Sequence, residues 1–319
     1  STNVVNAAVS VDAAVLVKTD GPVELNGAVT GGGVDKSGRS TLKLGAANAF
    51  VKPPIVREGV LESAATGALA SEADEIRQLA GVVRFTAPEE SLDAKYRIMP
   101  VTAAPKSCTT LNTIRNEEDV TLTKWSMEGG RFMKRGAGRL TVKFDGTETP
   151  TFYSSGKQYA TLVKIPDDGT LPYKAGDPTT LFTDLGGFVV AEGEVLLTSD
   201  VPGTKVTMTG AKVMVGLCTK DGVAQPKLTV KGIDIEADAN QQLILGQMSS
   251  APFDAALEPT LALINSTMYF NNVRVGDWAY GKFEHPTVAL TNGWLNGGSE
   301  IMLSQGNGYT ASKIDLERP

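Results

Sequence analysis

Short alternating runs of apolar and polar residues, each ended by a turn signal, constrain the fold of this chain most strongly. Residues 140–144 read LTVKF, with apolar side chains at every second position, and Asp145-Gly146 follows as a turn. Residues 205–209 and 227–231 repeat the pattern. Because successive side chains of an extended strand point to opposite faces, a period of two predicts half-buried β-strands. The chain is therefore expected to be mainly β.

The composition agrees with a turn-rich β-protein. Of the 319 residues, 34 are Gly and 16 are Pro, which suits many turns, and 41% are hydrophobic, which suits a buried core. Aromatic residues make up only 6%, so the core must consist mostly of Val, Leu, Ile and Ala. No exact short-period repeat is found, which argues against a solenoid or a propeller.

Three segments depart from the strand pattern. Ser71, Asp74 and Gly81 occupy the cap positions of a short helix over residues 71–80, and a weaker helix is predicted over 237–245. Residues 21–45 are rich in Gly, so we expect a long extended arm or hairpin. An irregular stretch at 165–187 divides the chain into a predicted N-terminal half, 1–175, and an acidic C-terminal half, 176–319.

The net charge of −6 lies entirely in the last part of the chain. From residue 233 to the end there are ten acidic and four basic residues, and the rest is balanced. A protein that grips nucleic acid through phosphates needs a basic stripe, which is missing. An acidic surface would instead repel DNA and let it slide past.

Few residues are suited to metal or redox chemistry. His285 is the only histidine, which excludes the usual multi-histidine zinc sites. Cys108 and Cys218 are 110 positions apart and form no CxxC motif, so a reducing compartment fits best. No apolar run approaches the roughly 20 residues of a membrane span, and the first residues lack the features of a signal peptide.

Two partial motifs fail on chemical grounds. Residues 33–40 resemble a phosphate-binding P-loop, but Arg39 replaces the required Lys and a strand pattern follows. Residues 234–240 resemble the start of a calcium loop, but Ala239 and Leu245 stand where Gly and Glu are needed. We therefore predict no catalytic, cofactor-binding or metal residue, and no enzyme. Paired carboxylates for glycoside cleavage remain an alternative, although no pattern selects a pair.

The three tryptophans are candidates for recognition. Trp125 lies in an alternating strand and is expected in a core or between subunits. Trp278 and Trp294 lie in Gly- and Asn-rich surroundings, which suits either packing in a core or subunit contact, or stacking on a sugar.

One stretch resembles a known family. Residues 124–162 contain the turn 128–130 (EGG), the small-residue element 136–138 (GAG) and an alternating strand, then Thr149-Pro150 and an aromatic strand from Phe152 to Tyr159. Residues 258–271 and 308–318 add a Pro-Thr entry and a closing strand. These segments resemble the tail tube proteins, or major tail proteins, of long-tailed bacteriophages.

The resemblance implies a β-sandwich or half-barrel of tail-tube type, with the two halves as two tube-like units. Subunits of that family pair edge to edge in rings, which contain six subunits in the single-domain members. With two tube-like units per chain, three copies of this chain would form a pseudo-hexameric ring. The rings stack into a tube through which DNA passes without specific binding. The resemblance thus predicts a structural virion protein of the tail, assembled in the host cytoplasm with itself and other tail proteins, without cofactor or membrane. The alternative is a virion surface module, either a head decoration protein or a glycan-binding adhesin.

Overall fold

Successive coils of the chain lie one on another, and each coil contributes strands to three sheets. The computed structural model describes residues 2–70, 72–99, 112–146, 151–154, 159–161, 182–184, 187–210, 212–217, 222–238, 241–247, 255–277, 285–305 and 313–317. Except for one antiparallel pair, the strand pairings in these residues are parallel and join one coil to the next. The described chain therefore forms a three-sided parallel β-solenoid.

The strands are numbered in chain order and grouped here by side. Face I contains β1 (Asn3–Val5), β4 (Val23–Leu25), β7 (Thr41–Leu44), β10 (Val60–Ser63), β12 (Val82–Phe85), β15 (Asn112–Asn116), β18 (Phe132–Arg135), β23 (Phe188–Val190), β26 (Val213–Leu217), β30 (Gln242–Gln247) and the second parts of β33 (Thr267–Asp277) and β35 (Trp294–Gln305).

Face II contains β3 (Val15–Lys18), β6 (Val34–Ser37), β9 (Ile55–Val56), β11 (Glu75–Gln78), β14 (Lys95–Ile98), β17 (Trp125–Gly129), β20 (Thr151–Ser154), β25 (Thr204–Thr209), β29 (Ile233–Ala237) and the first parts of β33 and β35. Face III contains β2 (Val9–Val11), β5 (Val29–Gly31), β8 (Ala49–Phe50), β13 (Glu89–Leu92), β16 (Val120–Leu122), β19 (Arg139–Phe144), β24 (Glu194–Ser199), β28 (Lys227–Lys231), β32 (Thr260–Ile264), β34 (Thr287–Thr291) and β36 (Lys313–Glu317). Two small pairs lie outside these faces, β21 (Tyr159–Thr161) with β22 (Phe182–Asp184), and β27 (Gly222–Ala224) with β31 (Ala255–Leu257).

The mainly β class predicted from the alternating pattern is confirmed. The three runs that carried the prediction are strands β19, β25 and β28. In β19 the apolar residues Leu140, Val142 and Phe144 are buried, whereas the residues between them are partly exposed. One buried face per strand explains why a period of two is visible in the sequence.

The chain is a solenoid although its sequence has no fixed repeat, so the prediction against a solenoid was wrong; the coils are unequal in length. Thr41 pairs with Val60, nineteen residues on, whereas Leu243 pairs with Val273, thirty residues on. Phe132 pairs with Phe188, 56 residues on. Insertions at the corners change the length of a coil without disturbing the register of its strands, so no fixed period appears in the sequence.

The described ladders form neither the expected sandwich nor the expected half-barrel. Each ladder strand pairs in parallel with the equivalent strand of the coil before or after it. The core is therefore enclosed by the three faces of the stacked coils, and not by two facing sheets. The predicted boundary at 175/176 lies outside the described residues. The ladders of all three faces continue across it, through the pairs β18–β23, β19–β24 and β20–β25.

The predicted helices were also wrong for the described residues. Strand β11 occupies Glu75–Gln78, with Ile76 and Gln78 buried and the alternating residues Glu75 and Arg77 turned outward. Asp74 has a φ of 52°, which is incompatible with the first turn of an α-helix. In the second segment, β29 ends at Ala237 and β30 begins at Gln242. Within the described residues no helix is long and apolar enough to cross a membrane.

The Gly-rich segment 21–45 is part of the solenoid and not an extended arm. Its strands β4 to β7 pair on all three faces, and Val29, Leu42 and Leu44 are buried in the core. The glycines allow close approach of neighbouring coils. A Cβ atom on Gly32 would lie 1.9 Å from the carbonyl oxygen of Ala13. Close stacking at the corners, and not flexibility, explains this composition.

Aromatic side chains fill the middle of the core. Trp125 stacks on Tyr96 at a centroid distance of 5.7 Å and meets Phe132 edge-on at 5.0 Å. Phe188 lies 5.0 Å from Phe132 and 5.8 Å from Phe152. These contacts join several consecutive coils, and such pairs add about 0.5–1.5 kcal/mol each beyond the burial of their area.

A buried lysine closes the corner between β18 and β19. The Nζ of Lys134 donates hydrogen bonds to the carbonyl oxygens of Arg135, Gly136 and Glu192, at 2.6, 2.7 and 3.3 Å. The Glu192 carboxylate accepts a hydrogen bond of 2.8 Å from the amide of Gly136. Burial lowers the pKa of Lys134 to about 7, against the opposing charge of Glu192. The ammonium thus satisfies carbonyls that the corner removes from water.

Lys36 makes the same arrangement between β6 and β7. Its Nζ donates to the carbonyl oxygens of Ser37, Gly38 and Glu58, at 2.9, 2.7 and 3.0 Å. The Glu58 carboxylate accepts from the amide of Gly38 at 3.1 Å. Burial lowers the pKa of Lys36 to about 8. Both corners therefore have the sequence Lys-x-Gly, with Glu-Gly one coil later, which is a local repeat without a fixed period.

Candidate binding cleft on face II

Four strands near the C-terminal end of face II expose a continuous set of polar and aromatic side chains. In β25, β29 and β33 the residues Val206, Ile235 and Met268 are fully or almost fully buried. The residues on either side of each must therefore point away from the core. Strand β35 follows the same alternation, with Trp294 and Asn296 exposed and Leu295 half-buried.

The register of these strands aligns the outward residues in two columns. The first column is Lys205, Asp234, Thr267 and Trp294, and the second is Thr207, Glu236, Tyr269 and Asn296. Adjacent members of a column lie one coil apart, about 4.8 Å. Each column thus presents four different side chains over roughly 15 Å.

A cleft of about 390 Å³ lies between these side chains, here called the face II cleft. Its lining alternates hydroxyl, amide, carboxylate, ammonium and aromatic groups, and comprises Lys205, Val206, Thr207, Asp234, Ile235, Glu236, Thr267, Tyr269 and Asn296. Trp294 lies at its edge, beside Thr267 in the first column. The volume lies within the range of ligand sites, and most of the side chains that line this surface cleft are polar.

The two aromatic side chains of the cleft differ in how far they are exposed to solvent. Trp294 is 67% exposed, the highest value among the exposed large hydrophobic residues of the described chain. Tyr269 is half-buried, and its hydroxyl lies against Gly298 of the next coil. A Cβ atom on Gly298 would lie 2.3 Å from that hydroxyl oxygen. Glycine at 298 therefore lets the Tyr269 ring lie along the surface of the last described coil of this face.

Charges are paired on the N-terminal part of face II. Arg57 forms a two-bonded ion pair with Asp35, at 2.7 and 2.9 Å. Arg97 lies between the carboxylates of Glu128 and Glu75, and these contacts hold the pKa of the Arg97 guanidinium above its usual range. Such pairs leave few groups free to bind a ligand.

The charged groups of the face II cleft are not arranged in such ion pairs. Asp234 accepts a hydrogen bond of 3.0 Å from the backbone amide of Thr267, so its carboxylate helps to hold the next coil in register. Within the part of the chain that the structure describes, no ion pair involves Glu236 or Lys205. Their charges are therefore free to bind a polar ligand.

The residues considered from the sequence have separate positions. Trp125 is 5% exposed in the core, as predicted, whereas Trp294 lies on the surface at the cleft. Trp278, Cys108 and Cys218 lie outside the described residues. His285 is exposed, and its backbone amide donates to the carbonyl of Leu257 at 2.9 Å, so it lies on a different side from the cleft.

Sequence reasoning missed Tyr269, Glu236 and Asn296. Each occupies an outward position of an alternating strand, which is a signal present in the sequence. Their alignment depends on a register between segments about thirty residues apart, and no sequence pattern specifies it. Only the stacked coils bring them to one surface.

The described residues contain no cluster of three or more side chains that could hold a metal ion. Comparison with protein-family models, with curated proteins and with solved structures finds no match. The fold and the cleft therefore provide the evidence for function.

Proposed function

We propose that this protein is a structural scaffold and not an enzyme: a β-solenoid rod that associates with further copies of itself. The observation that carries the proposal is the continuous stack of parallel coils, which pair on all three faces. Stacked coils of this kind present long surfaces that suit contact with other proteins.

One coil of the stack exposes apolar side chains. In the coil of β1, β2 and β3, Val4, Val15 and Leu16 are 50%, 39% and 64% exposed. Exposed apolar groups favour contact with another protein segment over contact with water. The length of the rod supports a scaffold role, since the stack of face I from β1 to β35 spans roughly 50 Å at about 4.8 Å per coil.

A subunit of a phage tail tube, located in the virion tail, is the specific form of this proposal. The excess of acidic residues after residue 233 supports a surface along which DNA passes without binding.

Electron microscopy and sedimentation of the purified protein test the proposal. We expect rings, tubes or end-to-end rods at high concentration. Leu16→Lys should shift the population to single copies, because it places a charge in the apolar contact. Val201→Lys is the matched control, since Val201 is 43% exposed in a turn far from that coil. Single copies of the wild-type protein at every concentration, or equal effects of the two substitutions, would contradict self-association.

A second candidate function is that of a virion surface module that binds glycans. The exposed Trp294 at the edge of the face II cleft favours it. This function does not exclude self-association, because the cleft and the coil of β1 to β3 lie at opposite ends of the stack.

A further inference from the structure

We propose that the face II cleft binds an extended glycan without negative charge, with Trp294 and Tyr269 as stacking platforms and Glu236 and Asn296 as hydrogen-bonding groups. The proposal develops the second candidate function and is independent of self-association. It rests on three observations, which concern the aromatic side chains, the polar side chains and the charge.

The aromatic side chains fit the apolar faces of sugar rings. A pyranose ring has one or two faces of C–H groups, which pack on an indole or phenol ring, while its hydroxyl groups point sideways. Trp294 is exposed beside the cleft and the half-buried Tyr269 lines it, one coil away and in the adjacent column. An indole that is 67% exposed gains little from the protein core, so its surface is available to a ligand.

The polar groups between the aromatic residues fit the hydroxyl groups. Glu236 and Asn296 flank Tyr269 in the second column, one coil before it and one coil after it. A carboxylate accepts two hydrogen bonds side by side, which matches two neighbouring hydroxyl groups of a sugar, and an amide both donates and accepts. Thr207 and Thr267 add hydroxyl groups on the same lining.

The charge of the cleft selects against acidic glycans. Asp234 and Glu236 line it together, and Lys205 is the one cation in the lining of the described cleft. The cleft thus has a net negative charge, and an anionic sugar would meet repulsion that a neutral one avoids. Outward groups repeat along four successive coils, and the coils lie side by side in register. This repetition favours an oligosaccharide chain over a single sugar residue.

Isothermal titration calorimetry with defined oligosaccharides tests the proposal. The neutral probes are cellohexaose and chitohexaose, and the anionic probe is hexagalacturonic acid. We expect binding of at least one neutral probe and no measurable binding of the anionic one. Trp294→Ala should weaken that binding by about tenfold, because loss of one stacking platform removes a contact of that order. Glu236→Gln should weaken it less, since the amide keeps one acceptor.

Matched controls separate binding from folding and from assembly. Ile301→Ala removes a side chain that is 49% exposed on face I of the same strand as Trp294, and it should leave binding unchanged. Thermal unfolding of each variant should lie well above the temperature of the binding measurement, because Trp294 is 67% and Ile301 is 49% exposed and neither is a fully buried core residue. Failure of both neutral probes, preference for the anionic probe, or equal binding before and after Trp294→Ala would overturn the proposal. None of these outcomes bears on the sedimentation of the Leu16→Lys variant.

Discussion

Asn48 offers a quantitative test of how the coils are held together. Its side chain is 8% exposed and joins three consecutive coils of the N-terminal region. The backbone amide of Val29 donates to its Oδ1 at 2.6 Å, and its Nδ2 donates to the carbonyl oxygen of Ala68 at 2.7 Å. Asn48→Ala removes both hydrogen bonds and leaves an amide and a carbonyl group buried without these partners.

The expected cost follows from those two groups. Each unsatisfied buried backbone group costs roughly 1–3 kcal/mol, so the free energy of unfolding should fall by about 3 kcal/mol. Asn48→Asp should cost at least as much as Asn48→Ala, because it buries a charge and places a carboxylate oxygen against the carbonyl oxygen of Ala68.

Urea unfolding, with the midpoint and slope compared, measures the cost. The control is Asn26→Ala, which also removes a hydrogen bond between adjacent coils, from Asn26 Nδ2 to Asn6 Oδ1 at 2.9 Å, but at an exposed position. Its cost should stay below about 0.5 kcal/mol, because water replaces the lost partner.

Hydrogen exchange then locates the effect. The Val29 amide should exchange faster in Asn48→Ala and unchanged in Asn26→Ala, because only Asn48 accepts from that amide. Equal losses of stability in the two alanine variants would show that the buried Asn48 hydrogen bonds do not hold the coils together. Unchanged hydrogen-exchange protection of the Val29 amide in Asn48→Ala would show the same.

Two further predictions concern the corners. Burial lowers the pKa of Lys134 to about 7, so between pH 7 and about 10.5 the unfolded chain binds a proton that the folded chain does not. The free energy of unfolding should therefore rise with pH in that window, by at most about 1.4 kcal/mol per pH unit from this group. Urea unfolding at several pH values measures this rise, and Lys134→Met should make it smaller. An equal rise in the variant and the wild type would contradict the prediction. Gly193 and Gly203 both have positive φ, of 64° and 76°. A Cβ atom at 193 would lie 2.4 Å from the carbonyl oxygen of Gly136, whereas a Cβ atom at 203 would have no heavy atom within 4 Å. Thermal unfolding should thus show a loss of about 1 kcal/mol for Gly203→Ala and a clearly larger loss for Gly193→Ala, and equal losses would show that the close approach carries no strain.

The strands could be predicted from the sequence because burial alternates along each one. Residues 140–144 show this directly, since a single buried face imposes apolar residues at every second position. The helix over 71–80 was predicted from cap residues that also suit a corner. Gly81 has a φ of 78° and closes a turn between β11 and β12, and not the end of a helix.

The candidate cleft could be predicted only in part. For Trp294 the sequence left two interpretations open, packing in a core or subunit contact, and stacking on a sugar, and the structure shows only that this side chain is exposed. Its neighbours Glu236 and Tyr269 come from two other coils, and their proximity follows from register. Register in this fold is maintained by backbone pairing and corner contacts between distant segments, which local patterns do not encode.

Short strands with one buried face are visible in the sequence, because the requirement for alternating apolar residues acts within each strand. The excess of acidic residues after residue 233 is visible there too. The parallel stacking of the strands as coils is visible only in the folded chain. This stacking depends on pairing between residues from nineteen to 56 positions apart, such as Thr41 with Val60 and Phe132 with Phe188. The energy of such pairing belongs to two segments at once, so neither segment shows it alone.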